Sequence, residues 1–241
     1  MPLTDKRIVI IGGSSGIGYA VAEGALADGA EVVVGSSQAP KVEDAVRRLG
    51  NRATGHAVNV RDGDDVAGFF ERVGPFDHLV FTAGDWGAAG LNRPTLDDLD
   101  RAPEVFAVRF WGALAAVRHA RSQIRDGGSI TLTNGMIAHR PRKGSALSTA
   151  MAGSIEHLTR GLAVDLAPIR VNAVCPGAIL TGIWDGIAAD QREAQLQRMT
   201  ARLPIPRIGL PAEVAEAYLY LMRGGYTTGQ VLLVDGGGSV V

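Results

Sequence analysis

Apolar and polar positions along this chain alternate between two periods. Arg7-Ile8-Val9-Ile10-Ile11 is a short β-branched run, and the segment from Ile17 to Ala27 places Ile17, Ala20, Val21 and Leu26 at near-helical spacing. A strand, a glycine turn and a helix are predicted there. Further strands are expected at Glu31 to Val34, Ala53 to Val58, His78 to Phe81, Ser129 to Leu132, Ile169 to Val174 and Val231 to Val234. Between them, helices are expected at Val42 to Leu49, Val66 to Val73, Val105 to Ala120 and Ile155 to Leu166, the last with an apolar stripe at Ile155, Leu158, Leu162 and Leu166. Strands that are apolar throughout and alternate with helices predict a parallel sheet covered on both faces. No internal repeat or linker interrupts the series, so the 241 residues are expected to form one domain, 1–241.

Composition narrows the setting. With 46% apolar residues and 32 glycines the chain can bury one sizeable core. A net charge of −1 gives no reason to expect nucleic acid or another polyanion as partner. Among 24 basic residues only Lys6, Lys41 and Lys143 are lysines. The single Cys175 excludes an internal disulfide and fits a reducing compartment. No apolar run approaches the roughly 20 residues that span a bilayer, and no segment has the pattern of a signal peptide. A cytoplasmic protein with no membrane partner is expected. His119 and His157 fall on helices without metal-ligand companions, so no metal site is expected.

The first candidate chemistry is the turn Gly12-Gly13-Ser14-Ser15-Gly16-Ile17-Gly18. A pyrophosphate reaches a helix N-terminus, with its unpaired N–H groups and positive dipole end, only where no Cβ intervenes. Gly12, Gly16 and Gly18 provide that access directly after the first strand, the context a dinucleotide-binding turn requires.

With this turn the chain resembles the short-chain dehydrogenase/reductase family, and the resemblance runs along essentially its whole length. Phe81-Thr82-Ala83-Gly84 is similar to the family's Asn-Asn-Ala-Gly turn, and Arg170-Val171-Asn172-Ala173-Val174-Cys175-Pro176-Gly177 to its sixth strand and Pro-Gly turn. Thr227-Thr228-Gly229-Gln230 and Val234-Asp235-Gly236-Gly237 are similar to its closing strand. The resemblance implies a Rossmann-type doubly wound α/β fold in three layers, a nicotinamide cofactor and a small-molecule substrate. It places the cofactor on Gly12, Ser14, Ser15, Gly16, Ile17, Gly18, Ser36, Ser37, Asn59, Val60, Ala83, Gly84, Pro176, Gly177, Ile179 and Thr181. It also implies a homodimer or homotetramer, because related proteins pair the helices matching Phe106 to Val117 and Ile155 to Leu166.

NADP(H) is favoured over NAD(H). An NAD-preferring relative would carry a carboxylate near residue 36, whereas this chain reads Gly35-Ser36-Ser37-Gln38. Ser36 and Ser37 can donate to a 2′-phosphate, and Lys41 or Arg52 can add charge. Asn59 stands where the family has an Asp facing the adenine amino group, and its side-chain carbonyl can still accept that bond.

At the four positions where the family carries its catalytic groups, the chain departs from it. Ser148 falls at the proton-transferring Tyr, Ala152 at the Lys that lowers the pKa of the Tyr and holds the nicotinamide ribose, Arg109 at the Asn, and Gly135, beside Asn134, at the Ser. No shift of alignment restores the Tyr, since the tyrosines are Tyr19, Tyr218, Tyr220 and Tyr226. The candidate replacements are Arg109, Asn134, His139 and Ser148. Arg109 can stabilise a developing alkoxide but cannot donate a proton, and it could equally be a structural ion pair with Asp85 or Asp165. His139 could serve as the acid or could be a solvated member of the basic loop His139-Arg140-Pro141-Arg142-Lys143. Trp184, Met199 and the stretch from Ile183 to Arg207 match the family's substrate lid, although local packing would give the same composition. Three readings stay open: an oxidoreductase with a noncanonical proton-transfer set, a catalytically silent nucleotide-binding protein, and a non-redox enzyme that holds the nucleotide structurally.

Overall fold

The computed structural model describes residues 2–84 and 94–241. In chain order it contains β1 (Arg7–Ile11), α1 (Gly16–Ala27), β2 (Glu31–Ser36), α2 (Ala39–Leu49), β3 (Ala53–Ala57), α3 (Gly63–Val73), β4 (Phe76–Phe81), α4 (Ala102–Phe106), α5 (Ala113–Ala120), β5 (Ile124–Thr133), α6 (Ala146–Asp165), β6 (Arg170–Pro176), α7 (Ala189–Thr200), α8 (Pro211–Arg223) and β7 (Val231–Val234). The seven strands are parallel in the order β3-β2-β1-β4-β5-β6-β7. Strand direction of growth reverses between β1 and β4, which opens a crevice at their C-terminal ends.

Alternation along β1 feeds two cores. Val9 and Ile11 join Phe69, Phe70, Val117, Ile155 and Leu162 on the face covered by α3, α5 and α6. Ile8 and Ile10 join Val21, Val42, Val214, Tyr218 and Leu219 on the face of α1, α2 and α8. This two-sided burial is the doubly wound architecture that the uniformly apolar strands predict.

One predicted helix is not continuous. The pattern from Val105 to Ala120 reads as a single helix, yet a wider π-helical turn, Ala107–Gly112, separates α4 from α5. The π turn contains Arg109, which is buried. Gly112 on the same turn lies where a Cβ would stand 2.8 Å from Val60 Cγ2. An extra residue turns the following side chains by about 100°, but a helical stripe already mixes spacings of three and four residues, so one such shift in a short window does not stand out in the sequence pattern.

The N-terminal edge of the sheet holds a separate polar cluster. Asp77 accepts from Lys6 at 3.0 Å, from the Arg7 backbone at 2.9 Å and from Arg125 at 2.9 Å. Beside it, His78 Nδ1 meets Ser129 Oγ at 2.9 Å. The His78 imidazole is pushed down to about 4, chiefly by burial, with Asp77 opposing the shift and Arg170 and Lys6 adding to it.

Candidate active site

The crevice above β1 and β4 deepens into a cleft of about 1120 Å³. Its first wall is the turn into α1. Gly12 has φ +92° and Gly16 φ +55°, both in the left-handed region that favours glycine. Gly18 leaves room for the turn itself, because a Cβ there would lie 2.4 Å from Gly12 O and from Thr82 Oγ1. Ser15 caps α1 without a side-chain hydrogen bond, and the first turn has no acidic residue. Those unclaimed N–H groups face the cleft as an anion cradle, so the residues present fit a dinucleotide pyrophosphate.

Every residue that the resemblance assigns to the cofactor lines this cleft, from Gly12, Ser14, Ser15, Gly16, Ile17 and Gly18 through Ser36, Ser37, Asn59, Val60, Ala83 and Gly84 to Pro176, Gly177, Ile179 and Thr181. Of the two basic candidates near Ser37, Lys41 lines the cleft, whereas Arg52 donates to Gly29 O and faces elsewhere. Asn59 Oδ1 accepts from the Arg61 backbone at 3.1 Å and retains a second lone pair.

The catalytic candidates divide. Arg109 and Asn134 line the cleft; His139 and Ser148 are not among its described lining residues. Arg109 Nη1 donates to Thr133 O and Asn134 O, both at 3.3 Å. Asp85, one of its two proposed ion-pair partners, lies outside the described residues. His139 Nε2 sits 2.7 Å from Glu156 Oε1, directed at α6. Ser148 is buried on α6, and Ala152, one turn on, is buried too. Two further groups near the floor hold their protons tightly. Burial, with Glu156 and Asp235, pushes the Cys175 thiol up to about 12. Burial raises Tyr218 as well, and its hydroxyl is shared with Thr133 Oγ1 at 2.7 Å.

The far wall comes from the loop between β5 and α6 and from the segment after β6. Arg140, Arg142, Lys143 and Ser145 line the cleft on one side, and Trp184, Gln195 and Met199 on the other. The basic loop thus borders the cleft, and Arg140 Nε ties it to Gly238 O at 3.1 Å. Trp184 is fixed by its indole N–H on Ile179 O at 2.8 Å. Sequence reasoning missed Glu156, which accepts from Asn134 Nδ2 at 2.7 Å and stands one helical turn after Ala152. That i, i+4 spacing was the available signal, but it carries no hint of a partner from β5.

Comparison with known proteins agrees with this fold. A family model described as enoyl-(acyl carrier protein) reductase matches residues 12–239. A short-chain dehydrogenase/reductase of Stachybotrys chlorohalonatus is 36% identical over 246 residues, covering 96% of each chain. The solved MalC reductase/Diels-Alderase of Malbranchea aurantiaca superimposes with a TM-score of 0.91 at 31% identity, covering 99% of this chain and 98% of that one. An NADPH-bound short-chain oxidoreductase of Pseudomonas aeruginosa PAO1, described as containing an atypical catalytic center, superimposes with a TM-score of 0.85 at 28% identity, covering 97% and 98%.

Proposed function

This chain belongs to the short-chain dehydrogenase/reductase family, and from that premise we propose that it is an NADP(H)-dependent oxidoreductase whose proton-transfer set differs from the family's. The observation that carries the cofactor half is the uncapped, acid-free N-terminus of α1 opening beside Ser36, Ser37 and Lys41 in one cleft. The glycines leave backbone N–H groups to the pyrophosphate, while the two hydroxyls and the ammonium receive a 2′-phosphate. The Pseudomonas aeruginosa relative, bound to NADPH, supports the same preference.

When bound, the nicotinamide donates or accepts hydride. Around it, Arg109 is a fixed cation, suited to stabilising negative charge and unable to release a proton. Cys175 and Tyr218 keep their protons, and Ser148 and Ala152 stand outside the described lining. This set suits a substrate that builds negative charge as it takes hydride, such as a carbonyl, whose oxygen Arg109 would stabilise while solvent supplies the proton. A small-molecule substrate of that class and a homodimer or homotetramer complete the reading.

Fluorescence titration with NADPH and NADH, followed by turnover assays on ketones and on cyclic iminium ions, tests it. NADPH is expected to bind more tightly, and Ser37→Asp to shift the preference toward NADH by at least about tenfold through charge repulsion at the 2′-phosphate. Ketones should turn over faster than cationic iminium ions, which the Arg109 guanidinium repels. Tighter NADH binding by the unaltered protein would overturn the cofactor half, and faster iminium reduction the anion-stabilising role of Arg109. Binding without any turnover would point to a catalytically silent nucleotide-binding protein. The likeness to MalC favours one second reading, a non-redox reaction in the same cleft, because that protein is described both as a reductase and as a Diels-Alderase and a cycloaddition moves no proton.

A further inference from the structure

Asn134 directly follows β5, lines the cleft and is only 2% exposed. Its backbone is held on both sides, the N–H donating to Val174 O at 2.8 Å and the carbonyl accepting from Arg109 at 3.3 Å. Its side chain is held once. Nδ2 donates to Glu156 Oε1 at 2.7 Å. A carboxylate can only accept, so the NH₂ end of the amide must face Glu156 and Oδ1 must turn away. Glu156 cannot easily yield, since His139 Nε2 contacts the same oxygen at 2.7 Å and Arg160 approaches the other at 3.9 Å. The consequence is an acceptor, Asn134 Oδ1, that is enclosed and receives no hydrogen bond from the described residues. Protein interiors seldom leave such a group unmatched, and those that persist tend to await a ligand or a water.

We infer that Asn134 Oδ1 accepts a hydrogen bond from the nicotinamide riboside end of the cofactor, with Glu156 as the positioning residue that orients it. The inference rests on the nicotinamide reading above. A dinucleotide whose pyrophosphate lies on the α1 cradle extends across the switch point toward the ends of β4 and β5, where Asn134 stands. The riboside presents neutral O–H and N–H donors, the chemistry this acceptor lacks. Ala152, one turn before Glu156 on α6, offers no polar side-chain atom to compete for them.

Calorimetry with two ligands separates the riboside from the rest of the cofactor: NADPH, and 2′-phospho-ADP, which keeps the pyrophosphate but lacks the whole nicotinamide riboside. Asn134→Leu is expected to weaken NADPH roughly tenfold, the loss of one buried hydrogen bond, while leaving 2′-phospho-ADP within about twofold. Glu156→Gln lets the amide turn over, because a glutamine can both donate and accept, so a smaller loss confined to NADPH is expected. A merely structural role would weaken both ligands together. Equal loss for both ligands, or no loss for either, overturns the inference while leaving the cofactor reading intact. Should Asn134→Leu fail to fold, an unchanged ratio of the two affinities in Glu156→Gln overturns it. If the unaltered protein binds neither ligand, the cofactor reading itself fails and the inference falls with it.

Discussion

Arg109 can lie at the cleft floor because its neighbour across the turn has no side chain. A Cβ at Gly84 would stand 2.4 Å from Arg109 Nη2 and 2.7 Å from Cζ. The guanidinium is buried and bonded to two carbonyls, so it cannot simply swing aside. Gly84→Ala is therefore expected to destabilise the protein by about 1–2 kcal/mol through overpacking. Arg109→Asn in the same chain should recover most of that loss, and chemical denaturation of the four proteins in the double-mutant cycle measures it. Additive costs would show that the two side chains do not compete for this space. At this scale the glycine and hydroxyl lining of the cleft was legible, because it follows from backbone geometry that local sequence encodes. The partners of Asn134 and His139 were not, since both converge on Glu156, distant in sequence from either.

Helix α6 shows how one half of an element can be legible in sequence and the other half not. Its apolar stripe from Ile155 predicts the C-terminal half, whereas the helix begins at Ala146, over a stretch of small residues that carries no periodic signal. The same stretch buries Ser148 and Ala152. Ser148→Tyr with Ala152→Lys adds two large groups and an ammonium to the region that holds Arg109, and like charges in a partly desolvated site repel more strongly than in water. The double variant is expected to reduce ketones poorly. A triple variant that also has Arg109→Asn should bind NADPH and reduce ketones better, as steady-state assays would show; full activity in the double variant would place Arg109 outside the cofactor's reach. Helix α8 escaped the sequence pattern for a related reason: Val214, Ala215, Ala217, Tyr218, Leu219, Leu221 and Met222 are all buried, so apolar residues encircle more than one stripe.

Over the whole molecule, two exposed apolar residues stand on elements of the same sheet face. Trp111 on the π turn is 61% exposed and Val164 on α6 is 78% exposed. Pairing of this face with a second copy would cover them. Light scattering is expected to give a dimer or tetramer of the 25.2 kDa chain, and Trp111→Glu to shift it toward monomer. A monomer at micromolar concentration would refute this. Acid sensitivity arises at the opposite end of the sheet. In the unfolded chain His78 takes up a proton near pH 6.5, but in the fold only near 4, so between those values the unfolded state holds the extra proton. Stability is expected to fall as pH drops from about 6.5 to about 4, by roughly 3 kcal/mol in all, and to level off for this group below that. His78→Gln should flatten the slope in urea titrations across this window; an unchanged slope would remove His78 as its source. The cleft lies at the C-terminal ends of the strands and His78 near their N-terminal ends, so tolerance to acid and choice of ligand can be engineered separately, the first by editing a buried position that does not line the cleft.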